Sequence, residues 1–273
     1  MRRILTTLLL ACVLAPALAA GGPDALTLGT VAMDIPAVMH QRLKPLSQYL
    51  SDALGRTVLI KPAPDLSKAV DEIASGDVDI AYLTPLAYVK AQRAGNVRVV
   101  AKTVTKGRDT FKLMIVVRAD SPIRSVRELA GKRFALGDPA ALLQRAVVVN
   151  AGIRLEQLGS YRFLGHYDNI ARGILNGDFD AGILKDTTAY QWQQKGLRIL
   201  HASPDLPPYN IAVSRKLDPA TVAAIQSALL RLDAKKPEHA AVIKALDPGY
   251  DGFAPASDAD YDVVRQLVAP FEK

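Results

Sequence analysis

From residue 26 to residue 213, short β-type runs alternate with amphipathic helical patterns, and this alternation leaves few folds open. It predicts α/β architecture, an open sheet with helices on its faces. Extended runs at 26–31, 57–60 and 78–83 are separated by helical patterns at 37–54 and 66–74, the latter ended by Gly76. Thr84 is placed to cap a helix with Pro85 in its first position, running to Gly95. Strands are expected at 97–104 and 111–118, joined by the polar turn Lys106-Gly107-Arg108-Asp109.

A second unit opens near Asp120. Ser125 and Glu128 have capping-box spacing for a short helix that stops at Gly131. Strands follow at 133–136, 161–164, 181–184 and 197–201. The helices between them are opened by Asp138-Pro139, by Asp168 as the cap of 169–176, and by Thr187. A return strand at 211–213 precedes closing helices that start at Asp218-Pro219. No Gly/Ser-rich linker divides the chain, so the expected organisation is one lobe inserted into another. Residues 20–118 and 207–273 form the first lobe and residues 119–206 the second, with hinge crossings near Val117-Arg118 and Pro208-Tyr209. Hinged lobes can close around a ligand.

The first 19 residues read as an export signal. Arg2 and Arg3 precede an apolar run that ends in Ala17-Leu18-Ala19, the small-x-small pattern cut by signal peptidase. Pro16 and the shortness of the run argue against a membrane span. Leu9-Leu10-Ala11-Cys12 loosely resembles a lipoprotein box, but a lipidated Cys12 would leave Val13, Leu14 and Ala15 just behind the anchor. Cleavage after Ala19 is the expectation, giving a periplasmic protein with no cysteine and no integral membrane segment. A disulfide framework, a CxxC redox centre and a thiolate metal site are then excluded.

The chain has 34 Lys+Arg against 27 Asp+Glu, and loss of Arg2 and Arg3 leaves 32 against 27. That surplus of five, scattered among carboxylates, suits a small anion better than a nucleic acid. Aromatics at 6% leave few stacking platforms for bases, so nucleic acid is not an expected partner. The four histidines lack HExxH spacing, and GxSxG, GxxxxGK[ST] and GxGxxG are missing, so neither catalysis nor a cofactor or metal is called for.

Several blocks resemble the periplasmic solute-binding proteins of phosphate, phosphite and phosphonate ABC transporters. They are Ser75-Gly76-Asp77-Val78-Asp79-Ile80-Ala81 with Pro85 and Tyr88, Asp120-Ser121-Pro122-Ile123 leading to Leu129-Ala130-Gly131-Lys132, Gly137-Asp138-Pro139, and Asp168 through Asn176-Gly177-Asp178-Phe179-Asp180-Ala181-Gly182. Their order and spacing span nearly the whole mature chain. The resemblance implies a two-lobed type 2 periplasmic-binding fold with a two-crossing hinge. It also implies a ligand site in which a Ser-Thr-Ser run after the Asp-Pro presents hydroxyls and helix amides to tetrahedral phosphorus oxygens.

In this chain Ala141, Leu142 and Leu143 stand at those three positions. The amides from Asp138 through Ala140 to Leu142 remain, and unpaired N–H groups at a helix start attract anions. The family's ligand-contacting histidine corresponds to Tyr167, with His166 one place earlier, and a family tyrosine near the hinge falls at Thr110, beside Phe111. Donors that can replace the lost hydroxyls are Thr84, Thr110, Lys112, Tyr82, Tyr167 and Lys185. Each has a plainer alternative. Thr84 is explained equally well as a cap, Lys112 and Lys185 as solvated charges. Tyr88 follows a strand end and can face the cleft; Trp192 reads as packing, and Asp34 as a loop turn.

The expected function is capture of a small anionic ligand in an interlobe cleft, by a monomer, for an ABC permease. The alternative is a ligand-sensing accessory protein for a membrane sensor kinase or cyclase. An extracytoplasmic enzyme finds no nucleophile–base pair to support it.

Overall fold

The helix termini follow from local chemistry. In the computed structural model, which describes residues 24–31, 36–139 and 141–272, Asp65 accepts the Lys68 N–H and opens α2 (Leu66–Ser75). Gly76 ends that helix at φ 76°, a left-handed cap that only glycine adopts at little cost. Thr84 accepts the Ala87 N–H at 3.1 Å and Pro85 fills the first turn of α3 (Pro85–Ala94). Asp218 does the same for α7 (Pro219–Leu230). The expected signal at 1–19, Asp34 and Ala140 lie outside the described residues.

Among the described residues the strands form two sheets. The first holds β1 (Leu26–Thr30), β2 (Val58–Pro62), β3 (Ile80–Leu83), β4 (Val97–Thr105), β10 (Asn210–Ser214) and β11 (Tyr250–Pro255), in the order β11-β4-β10-β3-β1-β2. The second holds β5 (Leu113–Arg118), β6 (Arg133–Leu136), β7 (Ser160–Phe163), β8 (Ala181–Lys185) and β9 (Leu197–Ala202), in the order β7-β6-β8-β5-β9. Strands β1, β2 and β3 run parallel, as do β6, β7 and β8, whereas β5, β10 and β11 pair antiparallel with their neighbours. The fold is the expected two-lobed type 2 periplasmic-binding architecture.

Strand β5 corrects the sequence reading of the first crossing. It was expected to close the first lobe, with the hinge near Val117-Arg118, yet it pairs with β8 and β9 in the second sheet. The first crossing therefore runs through residues 106–112, and the second through 203–209. A strand's own residues do not say which sheet it joins. The crossings hydrogen-bond to each other, Phe111 N–H to the Leu206 carbonyl at 2.9 Å and Leu206 N–H to the Phe111 carbonyl at 2.8 Å.

Three clusters of buried side chains hold the lobes. One packs α1 (Pro36–Leu54), α7 and α8 (Pro237–Leu246) against the first sheet through Leu43, Leu46, Leu50, Ile225 and Ile243. A second packs α5 (Tyr167–Leu175) and α6 (Asp186–Gln193) against the second sheet through Ile170, Ile174 and Trp192. The third spans both lobes. Tyr88 of α3, Tyr261 just before α9 (Asp262–Val268), Val264 within it, and Ala146 and Val147 of α4 (Leu142–Asn150) belong to one continuous core, so the C-terminal helix bridges the lobes. Burying such apolar side chains stabilises by roughly 1.5–3 kcal/mol each.

Candidate functional site

The carboxyl ends of the parallel strands of both sheets lie at the two crossings. Leu83 ends β3 opposite Asn210, the first residue of β10. In the second sheet Leu136 pairs with Phe163, and Lys185 with Leu113. The two crossings leave and enter along these same edges, and α3, α4, α5 and α6 each begin just after a strand end there. Open α/β sheets bind ligands in the crevice outside the carboxyl ends of their strands.

The start of α4 departs from expectation. Asp138 does not cap it; the helix begins at Leu142, with Ala141 in the cap position and no side-chain cap bond. The Asp138 carbonyl accepts the Ala141 N–H at 3.0 Å, so a separate turn precedes the helix. Leu142 and Leu143 pack against the core shared by both lobes. Gln144, which carried no signal in the sequence beyond its place after these leucines, is buried here. Its Oε1 accepts the Gly137 N–H at 2.8 Å and its Nε2 donates to the Tyr167 hydroxyl at 3.3 Å.

Tyr167 begins α5 with His166 in the cap position, two residues earlier than the expected cap at Asp168. The Asp168 carboxylate instead accepts the Trp192 indole N–H at 2.8 Å and ties α5 to α6. Because the Tyr167 oxygen accepts from Gln144, its own hydrogen is available to donate elsewhere. Burial raises the Tyr167 pKa above that of an ordinary phenol; the amide of Gln144 works against this and the Asp186 carboxylate adds to it. The group is a neutral hydroxyl at physiological pH. Tyr209, on the second crossing, is close enough to feel both Tyr167 and Tyr250, and burial raises its pKa too. Its ring stacks on Tyr82 at 5.3 Å, and the Tyr82 hydroxyl is engaged by Tyr250 at 2.8 Å.

Thr110, Phe111 and Lys185 come together in a pocket of about 150 Å³ between the crossings and α6. Its wall also includes Lys106, Arg108, Asp186, Thr187, Tyr190 and Pro208, which the sequence reading did not select. Asp186 was the most legible of these, since it follows a strand end directly. It is buried, accepting the N–H groups of Lys112 at 3.1 Å and Thr187 at 2.7 Å, and so fastens α6 to the first crossing. The Lys112 ammonium sits 3.9 Å from Asp205.

Tyr88 lies elsewhere. It is 1% exposed, its hydroxyl donates to Asp258 at 2.7 Å, and its ring meets Tyr261 at 4.5 Å. Thr84 follows the end of β3 with its hydroxyl engaged as the α3 cap. Among the described residues, no group of three or more His, Cys, Asp or Glu is arranged to hold a metal.

Comparison with known proteins agrees with the two-lobed fold. A family model described as "ABC transporter, phosphonate, periplasmic substrate-binding protein" matches residues 28–261. The phosphate-import protein PhnD of Mycolicibacterium smegmatis is 26% identical, over 91% of this chain and 86% of that one. Among solved structures, a Xanthomonas citri protein bound to chloride superposes with a TM-score of 0.72 at 24% identity, covering 90% of this chain and 96% of its own. PhnD1 of Prochlorococcus marinus in complex with methylphosphonate gives 0.70 at 21%, covering 92% and 100%. The family binds substrates for transport and carries out no catalysis, and its periplasmic description implies an extracytoplasmic place. The chain belongs to the family of periplasmic substrate-binding proteins of phosphonate ABC transporters.

Proposed function

We propose that this protein captures a small anionic solute in the cleft between its lobes and presents it to an ABC permease. The observation that carries the reading is the lining at the hinge, where Lys106, Arg108 and Lys185 outnumber the nearby carboxylates Asp186 and Asp205. Helix starts facing the same cleft add partial positive charge. Tyr167 adds a neutral donor, and Thr110 a second whose hydroxyl now makes only a long contact with Asp205 at 3.5 Å, so a desolvated anion finds both charge and hydrogen bonds.

The solute differs from a simple phosphonate held in the family's manner. Ala141, Leu142 and Leu143 offer no hydroxyls at the start of α4. A charge-assisted hydrogen bond contributes roughly 1.5–3 kcal/mol, so losing three removes the basis of tight binding by that geometry. Export with cleavage after Ala19 and action as a monomer complete the proposal. No helix among the described residues is long and apolar enough to cross a membrane.

A thermal-shift screen of the mature protein against phosphate, phosphite, methylphosphonate, aminoethylphosphonate, sulfonates and small carboxylates tests the reading. A ligand at a hundred times its dissociation constant adds about 2.7 kcal/mol of stability. One or more anions should raise the melting temperature, with little response to methyl- or aminoethylphosphonate. A large shift with either of these two refutes the argument from the missing hydroxyls, and no shift with any anion refutes the proposal.

A further inference from the structure

We infer that the charged end of the ligand binds at the hinge, between Arg108 and Lys185, and not at the start of α4, an inference that rests on the anion-capture reading above. Two independent observations lead there.

The first is that the backbone donor just past β6, on the approach to α4, is already taken. Gln144 Oε1 takes the Gly137 N–H at 2.8 Å, the first backbone donor after β6. A Cβ added at Gly137 would stand 2.7 Å from Gln144 Nε2, so the amide lies directly against that backbone. An anion seated there would have to displace the amide and leave its polar atoms unpaired, at a cost in affinity.

The second is the state of the cations at the hinge. Arg108 approaches Asp186 at 3.8 Å and Asp205 at 3.6 Å, both beyond hydrogen-bond length. Its guanidinium makes no hydrogen bond among the described residues. Lys185 rests its ammonium 5.4 Å from the centre of the Phe111 ring and has no carboxylate partner among the described residues. An exposed, poorly aligned ion pair contributes little to stability, so folding alone gives these side chains little reason to converge. The guanidinium fork matches two oxygens of a carboxylate or a phosphonate, and it holds that shape without ordering long side chains.

The rest of the pocket defines the ligand's other end. Phe111, Pro208 and the half-exposed Tyr190 supply apolar faces beside the cations. The chemistry they fit is an organic oxyanion with an apolar or aromatic body, carboxylate and phosphonate heads sharing the same contacts. Arg108 belongs to the first crossing, Pro208 to the second and Lys185 to the inserted lobe. A ligand in this place would therefore touch every part that moves when the hinge closes.

Isothermal titration of the mature protein with benzoate, phenylphosphonate, acetate, methylphosphonate and inorganic phosphate tests the assignment. The same series is run on Arg108→Gln, Arg108→Lys and Lys185→Gln, with Arg118→Gln, at the far end of the second lobe, as control. Benzoate or phenylphosphonate should bind, with preference between them identifying the head group, and acetate and methylphosphonate should bind more weakly. Arg108→Gln should weaken binding about tenfold or more, and Lys185→Gln less. Arg108→Lys, which keeps the charge but loses the fork, should not restore it. Circular dichroism and melting temperature confirm that each variant folds, and Lys185→Gln reads the same pocket from another element. If an anion binds the wild type and all the variants alike, the hinge assignment falls while anion capture stands. If none of the five anions binds, the hinge assignment falls, and anion capture falls with it only if the thermal-shift screen is silent as well.

Discussion

Gln144 Nε2 donates to the Tyr167 hydroxyl at 3.3 Å, joining the start of α4 to the start of α5 across the mouth of the second sheet. The same amide closes over Gly137, so one side chain satisfies a strand end and aims a phenol. Replacing Gln144 by Ala removes both contacts and strands the Gly137 N–H in a buried place. Leaving such a donor unpaired costs about 1–3 kcal/mol. Urea unfolding of Gln144→Ala should show that loss as a lower midpoint with an unchanged slope; a midpoint equal to the wild type would mean the amide carries no structural weight.

Tyr88 gives the opposite test, because its place in the core predicts stability without ligand contact. Tyr88→Phe keeps the ring against Tyr261 and removes the hydroxyl that donates to Asp258. Asp258 retains Arg265 as a partner. The expected loss is about 1 kcal/mol in unfolding free energy, with ligand affinity within twofold of wild type. A tenfold loss of affinity at unchanged stability would put this tyrosine in the binding site after all.

These two residues also show what the sequence could and could not reveal. Helix starts at Thr84 and Asp218 were legible because capping is local chemistry, complete within four residues. The two-lobed fold was legible from alternation and ordered family blocks. Tyr88 was misleading, since a residue one turn into a helix can face either the cleft or the core, and only the packing of α9 decides. Gln144 could not be foreseen, because its partners Gly137 and Tyr167 lie on two other segments. The same applies to Arg108, whose turn read as an ordinary polar connection and whose neighbours Asp186 and Asp205 come from distant parts of the chain.

Arg133 and Asp180 make acid sensitivity predictable at the end of the second lobe away from the cleft. Hydrogen bonds from the Arg133 guanidinium, at 2.8 and 3.2 Å, hold the Asp180 carboxyl below its ordinary pKa, with burial opposing them and the Arg133 backbone N–H helping. A carboxyl lowered in the folded state contributes stability that is fully present above its unfolded pKa, about 3.9, and is lost as pH falls through the folded value. Asp180→Asn should therefore lower the urea midpoint at pH 6, and the gap to wild type should narrow by pH 3. A gap that stays constant across that range contradicts the linkage.

Trp192, the one tryptophan in the chain, reports on the same helix that carries Thr187 and Tyr190 into the hinge pocket. Its indole N–H donates to Asp168 at 2.8 Å and Lys195 lies over its ring. Asp168→Ala should shift the emission maximum and cost about 1 kcal/mol of stability. In the wild type, an anion that binds should change the emission in a saturable way. Emission unmoved by a ligand whose binding is established calorimetrically would place that ligand away from α6.

Small-angle X-ray scattering of the mature protein, with and without an anion that raises its melting temperature, bears most directly on the claim that two hinged lobes enclose a solute. The account predicts a smaller radius of gyration in the bound state, as crossings 106–112 and 203–209 bend and the facing strand edges approach. A radius left unchanged by every stabilising anion would contradict it.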